Sequence, residues 1–457
     1  MAIATINPAT GETIRTFDPM TDAEVDERLG RAVEGYHALR AAPFARRAEW
    51  MRASADLLES EIDDIARTMT TEMGKTLAAA KAEATKCVAG MRYYAEHAER
   101  FLADIARDAA AVKASRAYTR WLPIGAVLAV MPWNFPLWQA VRFAAPALMA
   151  GNSGILKHAS NVPQTALYLG ALFERGGFPA GAFQTVLISS SAVERVLTDD
   201  RIEAVTLTGS EAAGSKVAET SGRLIKKTVL ELGGSDPFVV MPSADVTEAA
   251  DVGTTARVQN NGQSCIAAKR FIVHTDVYDA FTDRFVQNMR DLVVGDPMDD
   301  TTQVGPVATE QGRRDLTELV ADAVAKGAKV LCGGEAPDRP GWWYPPTVIA
   351  EVTPEMRIYT EEAFGPVATL FRVGSIEESI EIANATTFGL GSNAWTNDAA
   401  EQERFVDELA AGQTFVNGMT TSYPELPFGG IKRSGYGREL AELGIQEFCN
   451  AKTVWVA

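Results

Sequence analysis

The spacing of apolar residues divides the chain into a helical first part and an alternating remainder. From about residue 22 to residue 110, Ala, Leu, Glu and Arg recur every three or four positions, which is the period of an amphipathic helix. Stripes such as Leu57, Leu58, Ile62 and Ile65 predict buried helix faces. We interpret this part of the chain as a helical scaffold.

Beyond residue 118, short apolar runs alternate with helical stretches. The pattern predicts strands at residues 118–121, 126–131, 153–157, 184–188 and 204–208. A second series begins near residues 236–241, continues through a strand at 270–274 between helices at about 244–258 and 277–293, and extends past residues 415–417. Such alternation is typical of an α/β fold with a mostly parallel, doubly wound sheet, which binds ligands beyond the carboxyl ends of its strands. The strand-like residues 448–456 have no partner nearby in sequence, so we expect them to complete a sheet in another domain or subunit.

The composition of the 457 residues is that of a soluble globular protein, with 46% hydrophobic and 23% charged residues. Lys and Arg total 43 against 60 Asp and Glu, which gives a net charge of -17. This charge repels phosphate backbones and anionic lipids, so we expect no nucleic-acid or membrane partner. A small anionic substrate would need a local positive site.

The sequence carries no signal for secretion or membrane insertion. The first residues lack a basic segment followed by an apolar one, and no apolar run approaches the roughly 18 residues of a membrane helix. The four cysteines show no CxxC spacing, so we expect neither a zinc site nor a disulfide framework, which fits a reducing cytoplasm. They are Cys87, Cys265, Cys332 and Cys449.

Three residues near the ends of predicted strands form a candidate catalytic group if they lie in one site. Cys265 ends the segment Asn-Gly-Gln-Ser-Cys just before a predicted strand, where a thiol would face a cleft. Glu231 lies between two leucines and beside two glycines, where burial would raise its pKa toward that of a general base. Asn134 lies in a Pro-bounded turn, where its amide could stabilise an oxyanion. Taken singly, the same residues could be a buried apolar cysteine, a surface or capping glutamate and a helix N-cap.

A phosphate site is indicated more weakly by Lys157, at the end of a predicted strand, and by residues 208–214. In that segment a GxxxxG spacing opens a helix whose N-terminal amides could hold a phosphate. The segment is neither the GxGxxG fingerprint nor a P-loop, so alone it does not identify the ligand.

Seven segments, in this order, resemble the motifs of the NAD(P)-dependent aldehyde dehydrogenases, and the resemblance extends over nearly the whole chain. They are Pro-Trp-Asn-Phe-Pro at 132–136, Lys157, Leu-Thr-Gly-Ser at 207–210, Glu-Leu-Gly-Gly at 231–234, Gly-Gln-Ser-Cys at 262–265, Glu-Glu-Ala-Phe-Gly-Pro at 361–366 and Pro-Phe-Gly-Gly at 427–430. Within this family the chain most resembles the succinate-semialdehyde dehydrogenases.

The resemblance implies that Cys265 adds to an aldehyde to form a thiohemiacetal, whose oxyanion is held by Asn134 and the Cys265 backbone N–H. After hydride transfer leaves a thioester, Glu231 would activate the water that hydrolyses it. No histidine stands beside a nucleophile-like turn, so a Cys-His hydrolase is the weaker alternative. A CoA-acylating reaction is a further alternative, which the retained Glu231 disfavours.

The resemblance also implies a dinucleotide site, with Lys157 at the adenosine ribose. The other implied cofactor contacts are Trp133, Ser160, Gly209, Ser210, Leu232, Glu362 and Phe364. NAD-preferring members often carry Glu at the position of Ser160. A serine does not repel a 2′-phosphate and can donate a hydrogen bond to it. We therefore expect NADP to be preferred and NAD to remain usable.

For the substrate, Arg142 matches a family arginine that pairs with the carboxylate of succinate semialdehyde, and Ser422 matches a serine that assists. Without the family, Arg142 could equally form a salt bridge on a helix surface. Gln259 stands where some relatives carry a second carboxylate-binding arginine, which leaves other short aliphatic or ω-carboxylated aldehydes open. Ile266 follows Cys265 where some relatives have another cysteine, so we expect no disulfide switch there.

The family implies an aldehyde dehydrogenase fold. A Rossmann-like cofactor domain would comprise residues 1–108 and 123–231, and an α/β catalytic domain residues 232–433. Residues 109–122 and 434–457 would form a small bridging element that builds a homodimer or homotetramer. No metal is expected.

Overall fold

The computed structural model describes residues 2–457, in which helices and strands alternate along most of the chain. The helices, in chain order, are α1 Asp22–Ala41, α2 Phe44–Ser60, α3 Ile62–Met73, α4 Leu77–Phe101, α5 Trp138–Ala150, α6 Pro163–Arg175, α7 Val193–Thr198, α8 Glu211–Leu224, α9 Val246–Val258, α10 Thr275–Asp291, α11 Glu310–Ala325, α12 Arg357–Thr360, α13 Ile376–Asn384, α14 Ala399–Glu408 and α15 Ala441–Gln446. None of the helices formed by residues 2–457 combines the length and the apolar character that crossing a bilayer requires.

The strands belong to four sheets. In chain order they are β1 Ile3–Ile6, β2 Thr13–Phe17, β3 Ile105–Ala106, β4 Arg116–Pro123, β5 Ala126–Met131, β6 Ser153–His158, β7 Phe183–Thr185, β8 Ile202–Thr208, β9 Lys227–Glu231, β10 Asp236–Val240, β11 Ala268–His274, β12 Lys329–Cys332, β13 Thr347–Ala350, β14 Val367–Val373, β15 Gly391–Trp395, β16 Gln413–Val416, β17 Gly435–Tyr436 and β18 Cys449–Val456. The smallest sheet is the antiparallel pair of β1 and β2.

Four helices, α1 to α4, form the first part of the chain, as its periodicity predicts. The first begins with a capping box, in which the Thr21 N–H donates to the Glu24 carboxylate at 2.7 Å and the Glu24 N–H donates to Thr21 Oγ1 at 3.3 Å. The helical pattern ends at Phe101 rather than near residue 110, because the short strand β3 follows it.

A six-stranded sheet has the order β17-β9-β8-β5-β6-β7. Its strands pair in parallel except β17, where Gly435 lies opposite Glu231 in an antiparallel bridge. The chain leaves β5 for β6 on one side and later places β8 on the other, which makes a topological switch point. The carboxyl ends of β5, β6 and β8 therefore open onto one crevice.

A seven-stranded sheet has the order β12-β13-β14-β11-β10-β15-β16. Only its edge strand β12 pairs antiparallel with its neighbour. Cys265 lies just before the central strand β11. The two large sheets, with helices against them, confirm the predicted α/β class.

The terminal strand β18 finds its partner within the same chain. It pairs antiparallel with β4, from Cys449 opposite Pro123 to Val456 opposite Arg116, and β3 pairs with the other edge of β4. Within residues 434–457, the short strand β17 pairs with β9 of the six-stranded sheet. The strand predicted at 184–188 is the shorter β7. The division of the chain into domains stays a proposal.

A buried ion pair fixes the position of the N-terminus of α5. Glu83 on α4 accepts hydrogen bonds from the backbone N–H groups of Leu137 and Trp138, both at 2.8 Å, and pairs with the Lys75 ammonium. Lys75 and Glu83 are both buried. The carboxylate satisfies N–H groups that have no partner within the helix. The turn that carries Asn134 is thereby tied to α4.

Replacing Lys75 by Met should destabilise the protein, because Glu83 would remain in the core without its counter-ion. We expect a loss of about 3–5 kcal/mol in the free energy of unfolding, the usual cost of breaking a buried ion pair from one side. Urea unfolding followed by tryptophan fluorescence measures this loss. The control is Lys81→Met, since Lys81 pairs with Asp63 on the surface, where such pairs contribute about 0–1 kcal/mol. Equal unfolding midpoints for the two variants would contradict the role of the pair.

Candidate active site

The loop between α9 and β11 has a backbone that only certain residues can adopt. Asn260, Asn261 and Gly262 take positive φ values of 55°, 58° and 73° in succession. A Cβ at Gly262 would lie 2.4 Å from the backbone carbon of Gly365, so only glycine fits there. Asparagine is among the residues that best tolerate this region. The turn leads directly to Cys265.

The side chain of Lys269 holds the loop that carries Cys265. Its buried ammonium donates to the carbonyl oxygens of Ser264 and Cys265, both at 2.9 Å, and lies 3.1 Å from Glu362 Oε1. Sequence reasoning missed this residue. The available signal was the pair of basic residues, Lys269 and Arg270, at the start of an apolar strand, because buried charges occur only with partners.

Asn134 is bonded so that one amide hydrogen remains free. Its Nδ2 donates to the Gln263 carbonyl at 3.1 Å, and its Oδ1 accepts from Gln139 Nε2 at 3.1 Å. Asn260 Nδ2 donates to the Asn134 carbonyl at 2.7 Å. An amide nitrogen carries two hydrogens, so the second can donate to an oxyanion formed beside the loop of Cys265.

The Cys265 thiol is desolvated. Burial raises its pKa to about 12, while Arg142 and Lys269 act in the opposite direction. The thiol is therefore protonated at neutral pH in this state. The histidine beside the adjoining turn does not promote ionisation of this thiol. His158 Nε2 lies 2.8 Å from the Pro136 carbonyl, and burial lowers the pKa of the imidazole to about 4.

Glu231, the last residue of β9, is 2% exposed, and neither carboxyl oxygen has a hydrogen-bond partner among residues 2–457. Burial raises its pKa well above the usual range, nearby Glu439 raises it further, and Arg142 lowers it. Glu439 was missed by sequence reasoning because its charged surroundings, Arg438 to Glu442, resemble a surface segment. It is buried, and its Oε2 lies 2.5 Å from Arg142 Nε. The guanidinium thus pairs with Glu439 and acts on Glu231 only through its charge.

The residues predicted to bind the substrate already have partners within the chain. Arg142 is 3% exposed, pairs with Glu439 and lies over the ring of Phe428 at 4.4 Å, so it would have to leave Glu439 to bind another carboxylate. Ser422 accepts hydrogen bonds from Lys86 and Trp138 instead. Gln259 donates only to the Ala256 carbonyl of its own helix, at 3.4 Å.

At the crevice of the six-stranded sheet lie the residues predicted to hold the adenosine end of a cofactor. Lys157 is buried at the end of β6, burial lowers its pKa, and within the described residues no carboxylate pairs with it. Half-buried Ser160 follows, its carbonyl accepting from the Ala4 N–H at 3.0 Å. Ser210 caps α8, and a Cβ at Gly209 would meet only Leu207, at 3.6 Å. Lys157 and the N-terminus of α8 thus lie at the carboxyl ends of β6 and β8, the two strands that flank β5, and such a switch point fits a phosphate-bearing dinucleotide.

Trp133, predicted near the pyrophosphate, lies close to Phe364, predicted near the nicotinamide. The rings of Trp133 and Phe364 meet edge to face at 5.7 Å. Glu362 accepts from the Gly234 N–H at 3.2 Å and pairs with Lys269. Leu232 packs against α8 where Gly214 leaves room, since a Cβ there would lie 2.6 Å from a Leu232 methyl.

Comparison with known proteins gives a consistent result. Residues 1–454 match the model of the "Aldehyde dehydrogenase family". The chain is 67% identical over 457 residues to "Succinate-semialdehyde dehydrogenase [NADP(+)]" of Mycolicibacterium paratuberculosis, covering 100% of this chain and 97% of the relative. It is 65% identical to "Succinate-semialdehyde dehydrogenase [NADP(+)] 1" of Mycobacterium tuberculosis, covering 100% of both. The crystal structure of succinic semialdehyde dehydrogenase from Streptococcus pyogenes in complex with NADP+ superposes with a TM-score of 0.97 at 38% identity, covering 100% of both chains.

The Cys265 thiol should alkylate slowly in the cofactor-free protein. Because its pKa is raised to about 12, the thiolate fraction should grow about tenfold per pH unit, and the alkylation rate should still be rising at about pH 10. Iodoacetamide labelling with peptide mass mapping measures the rate at Cys265 alone. A plateau below about pH 9 would show that the sulfur is not desolvated.

Proposed function

The chain belongs to the aldehyde dehydrogenase family, and on that premise we propose that it oxidises succinate semialdehyde to succinate, with NADP as the preferred hydride acceptor. The observation that carries the chemistry is the bond from Asn134 to Gln263, which sets a free amide hydrogen beside the loop of Cys265. The identities of 67% and 65% to NADP-linked succinate-semialdehyde dehydrogenases support the choice of substrate and cofactor.

In the first step the Cys265 sulfur adds to the aldehyde carbon as its proton departs to solvent. The carbonyl electron pair moves to oxygen, and the Asn134 amide and the Cys265 backbone N–H stabilise the resulting oxyanion. NADP, when bound, would supply the hydride acceptor for the oxidation of the thiohemiacetal to a thioester. The residues that would hold NADP are Trp133, Lys157, Ser160, Gly209, Ser210, Leu232, Glu362 and Phe364.

Glu231 then acts as the base for hydrolysis. It takes a proton from water, whose oxygen attacks the thioester carbon, and the carbon–sulfur bond breaks to release the acid and restore Cys265. Burial makes the Glu231 carboxylate more basic than an exposed one. Arg142 opposes this rise. A site with its own base for water has no need of CoA as the acyl acceptor.

A second candidate is an aldehyde dehydrogenase for another short aliphatic or ω-carboxylated aldehyde. The observation that favours it is the neutral Gln259, which is bonded within its own helix. We further propose that the protein works in the cytoplasm as a homodimer or homotetramer. The four free cysteines suit a reducing compartment, and the exposed strand β18, with Trp455 52% exposed, offers a surface for a second copy.

Steady-state rates with two aldehydes of equal length should separate these functions. We expect kcat/KM for succinate semialdehyde to exceed that for butanal by about 10- to 100-fold, since only the first carries a carboxylate that a buried cation can bind. We also expect faster turnover with NADP than with NAD. The absorbance of the reduced nicotinamide measures both. Equal values for the two aldehydes would favour the second candidate, and a requirement for CoA would overturn hydrolysis.

Glu231→Gln should complete about one oxidation per active site and then stall, because an amide cannot take a proton from water. We expect the steady-state rate to fall by about 10²- to 10⁴-fold while a burst of reduced cofactor persists in stopped-flow traces. Cys265→Ala is the matched control, which should show no burst although it still binds NADP. An unchanged steady state in Glu231→Gln would remove its assignment as the base.

A further inference from the structure

A buried carboxylate supports the loop that joins β6 to α6. This loop, residues 159–162, follows Lys157 and carries Ser160, both of which are predicted at the adenosine end of the cofactor. The carboxylate belongs to Glu72, near the end of α3, whose side chain is buried. The mechanism above does not use Glu72.

Both oxygens of the Glu72 carboxyl group accept hydrogen bonds from α6 and β1. The backbone N–H of Gln164 donates to Oε1 at 2.8 Å, and that of Thr165 donates to Oε2 at 3.0 Å. The Thr165 hydroxyl donates to Oε2 at 2.7 Å, and the Thr5 hydroxyl donates to Oε1 at 2.8 Å. A carboxylate has enough lone pairs to accept all four bonds. Burial raises the pKa of Glu72, and these bonds oppose the rise.

Glu72 supplies the cap that α6 lacks. Val162, at the N-cap position, offers no side-chain acceptor, and Pro163 has no N–H to donate. The Glu72 carboxylate therefore accepts from the first two N–H groups of the helix, where the helix dipole also favours negative charge. The start of α6, and with it one end of the loop at residues 159–162, is fixed to α3.

Strand β1 holds the same loop from its other side. The Ala4 N–H donates to the Ser160 carbonyl at 3.0 Å. The next residue, Thr5, donates to Glu72 and accepts from Gln164 Nε2 at 3.0 Å. The hydroxyl of Thr5 thus joins β1 to both the carboxylate and the helix that it caps.

Apolar contacts complete the support. Ala159 and Val162 of the loop pack in one small cluster with Met73 of α3, Ala308 and Trp133. Trp133 is itself predicted to contact the cofactor. The loop therefore has little freedom to move while α3 and α6 keep their places.

We propose that Glu72 is a positioning residue for the cofactor, which holds residues 159–162 so that Ser160 meets the 2′-phosphate of NADP. This assignment rests on the cofactor preference proposed above. NADP and NAD differ only in that phosphate, so a displaced loop weakens the binding of NADP more than that of NAD. Glu72 thereby contributes to the choice between the two cofactors without touching either.

Glu72→Gln tests the assignment with two fragments of the cofactor, adenosine 2′,5′-bisphosphate and 5′-AMP. In this variant an amide nitrogen faces an N–H group of α6, which should displace the loop. We expect the wild type to bind the bisphosphate about 10- to 100-fold more tightly than AMP, the value of hydrogen bonds to a charged group. This ratio should fall about tenfold in Glu72→Gln. Isothermal titration calorimetry measures both dissociation constants.

The kinetic constants give a second readout that a merely structural role would not move. In Glu72→Gln we expect KM for NADP to rise about tenfold, while kcat and KM for succinate semialdehyde change by less than about threefold. A simple loss of folded protein would lower the apparent kcat and leave KM for NADP unchanged.

Thr5→Val keeps the test decisive if Glu72→Gln does not fold. Valine has nearly the shape of threonine but lacks the hydroxyl that joins β1 to Glu72 and Gln164. Since only this link is lost, the ratio of the two dissociation constants should fall about threefold.

Asp398→Asn is the matched control. Asp398 also caps a helix with its carboxylate, accepting from the N–H groups of Ala400 and Glu401 at 2.8 Å and 3.1 Å. That helix, α14, packs against β16 of the seven-stranded sheet, so the ratio should not change. A ratio that stays at the wild-type value in Glu72→Gln and Thr5→Val, or that falls equally in Asp398→Asn, would overturn the assignment.

The wild type separates the two possible failures. If it binds the bisphosphate no more tightly than AMP, the proposed preference for NADP fails. If it prefers the bisphosphate and both variants keep that preference in full, the cofactor preference stands and the assignment of Glu72 is wrong.

Discussion

Two buried hydrogen bonds join the loop of Cys265 to the turn of Asn134, a third lies within the loop itself, and the geometry of the site depends on them. Asn260 Nδ2 donates to the carbonyls of Asn134 and Gln263 at 2.7 Å and 3.0 Å, and Asn134 Nδ2 donates to Gln263 at 3.1 Å. The turn follows a strand of the six-stranded sheet, and the loop precedes a strand of the seven-stranded sheet. A shift of one sheet against the other would leave these groups unpaired and away from water. The position of Cys265 relative to Asn134 is therefore set between the sheets.

The burial that accompanies this geometry raises the pKa of the Cys265 thiol, so the thiol is protonated at neutral pH. The two cations near Cys265 are Lys269 and Arg142, and each already faces a carboxylate, Glu362 and Glu439 respectively. Their opposition to the rise in the pKa of Cys265 is consequently smaller than the effect of desolvation. Positive charge brought close to the sulfur favours the thiolate.

The sequence predicts the helices and strands more accurately than the contacts between them. The apolar run 126–131 ends at a proline and becomes β5, because a short apolar run bounded by breakers has few other structures. The pairing of β18 with β4 joins residues more than three hundred positions apart, which no local pattern encodes. Cys265 and Asn134 lie in recognisable motifs, whereas no motif marks Lys269, at the start of an apolar strand, or Glu439, in a charged segment. Their burial is decided by other elements, so only the folded chain reveals it.

The charges around Glu231 show what Arg142 contributes to the site. Glu231 and Glu439 are both buried, and burial raises the pKa of each. Arg142 lowers both values, and for Glu439 it is the principal opposing influence. Were Arg142 to leave Glu439 for the carboxylate of a substrate, the two carboxyl groups would lose that influence and hold their protons more tightly. The Arg142 guanidinium therefore holds the proton affinity of both carboxyl groups below the level that burial alone would set.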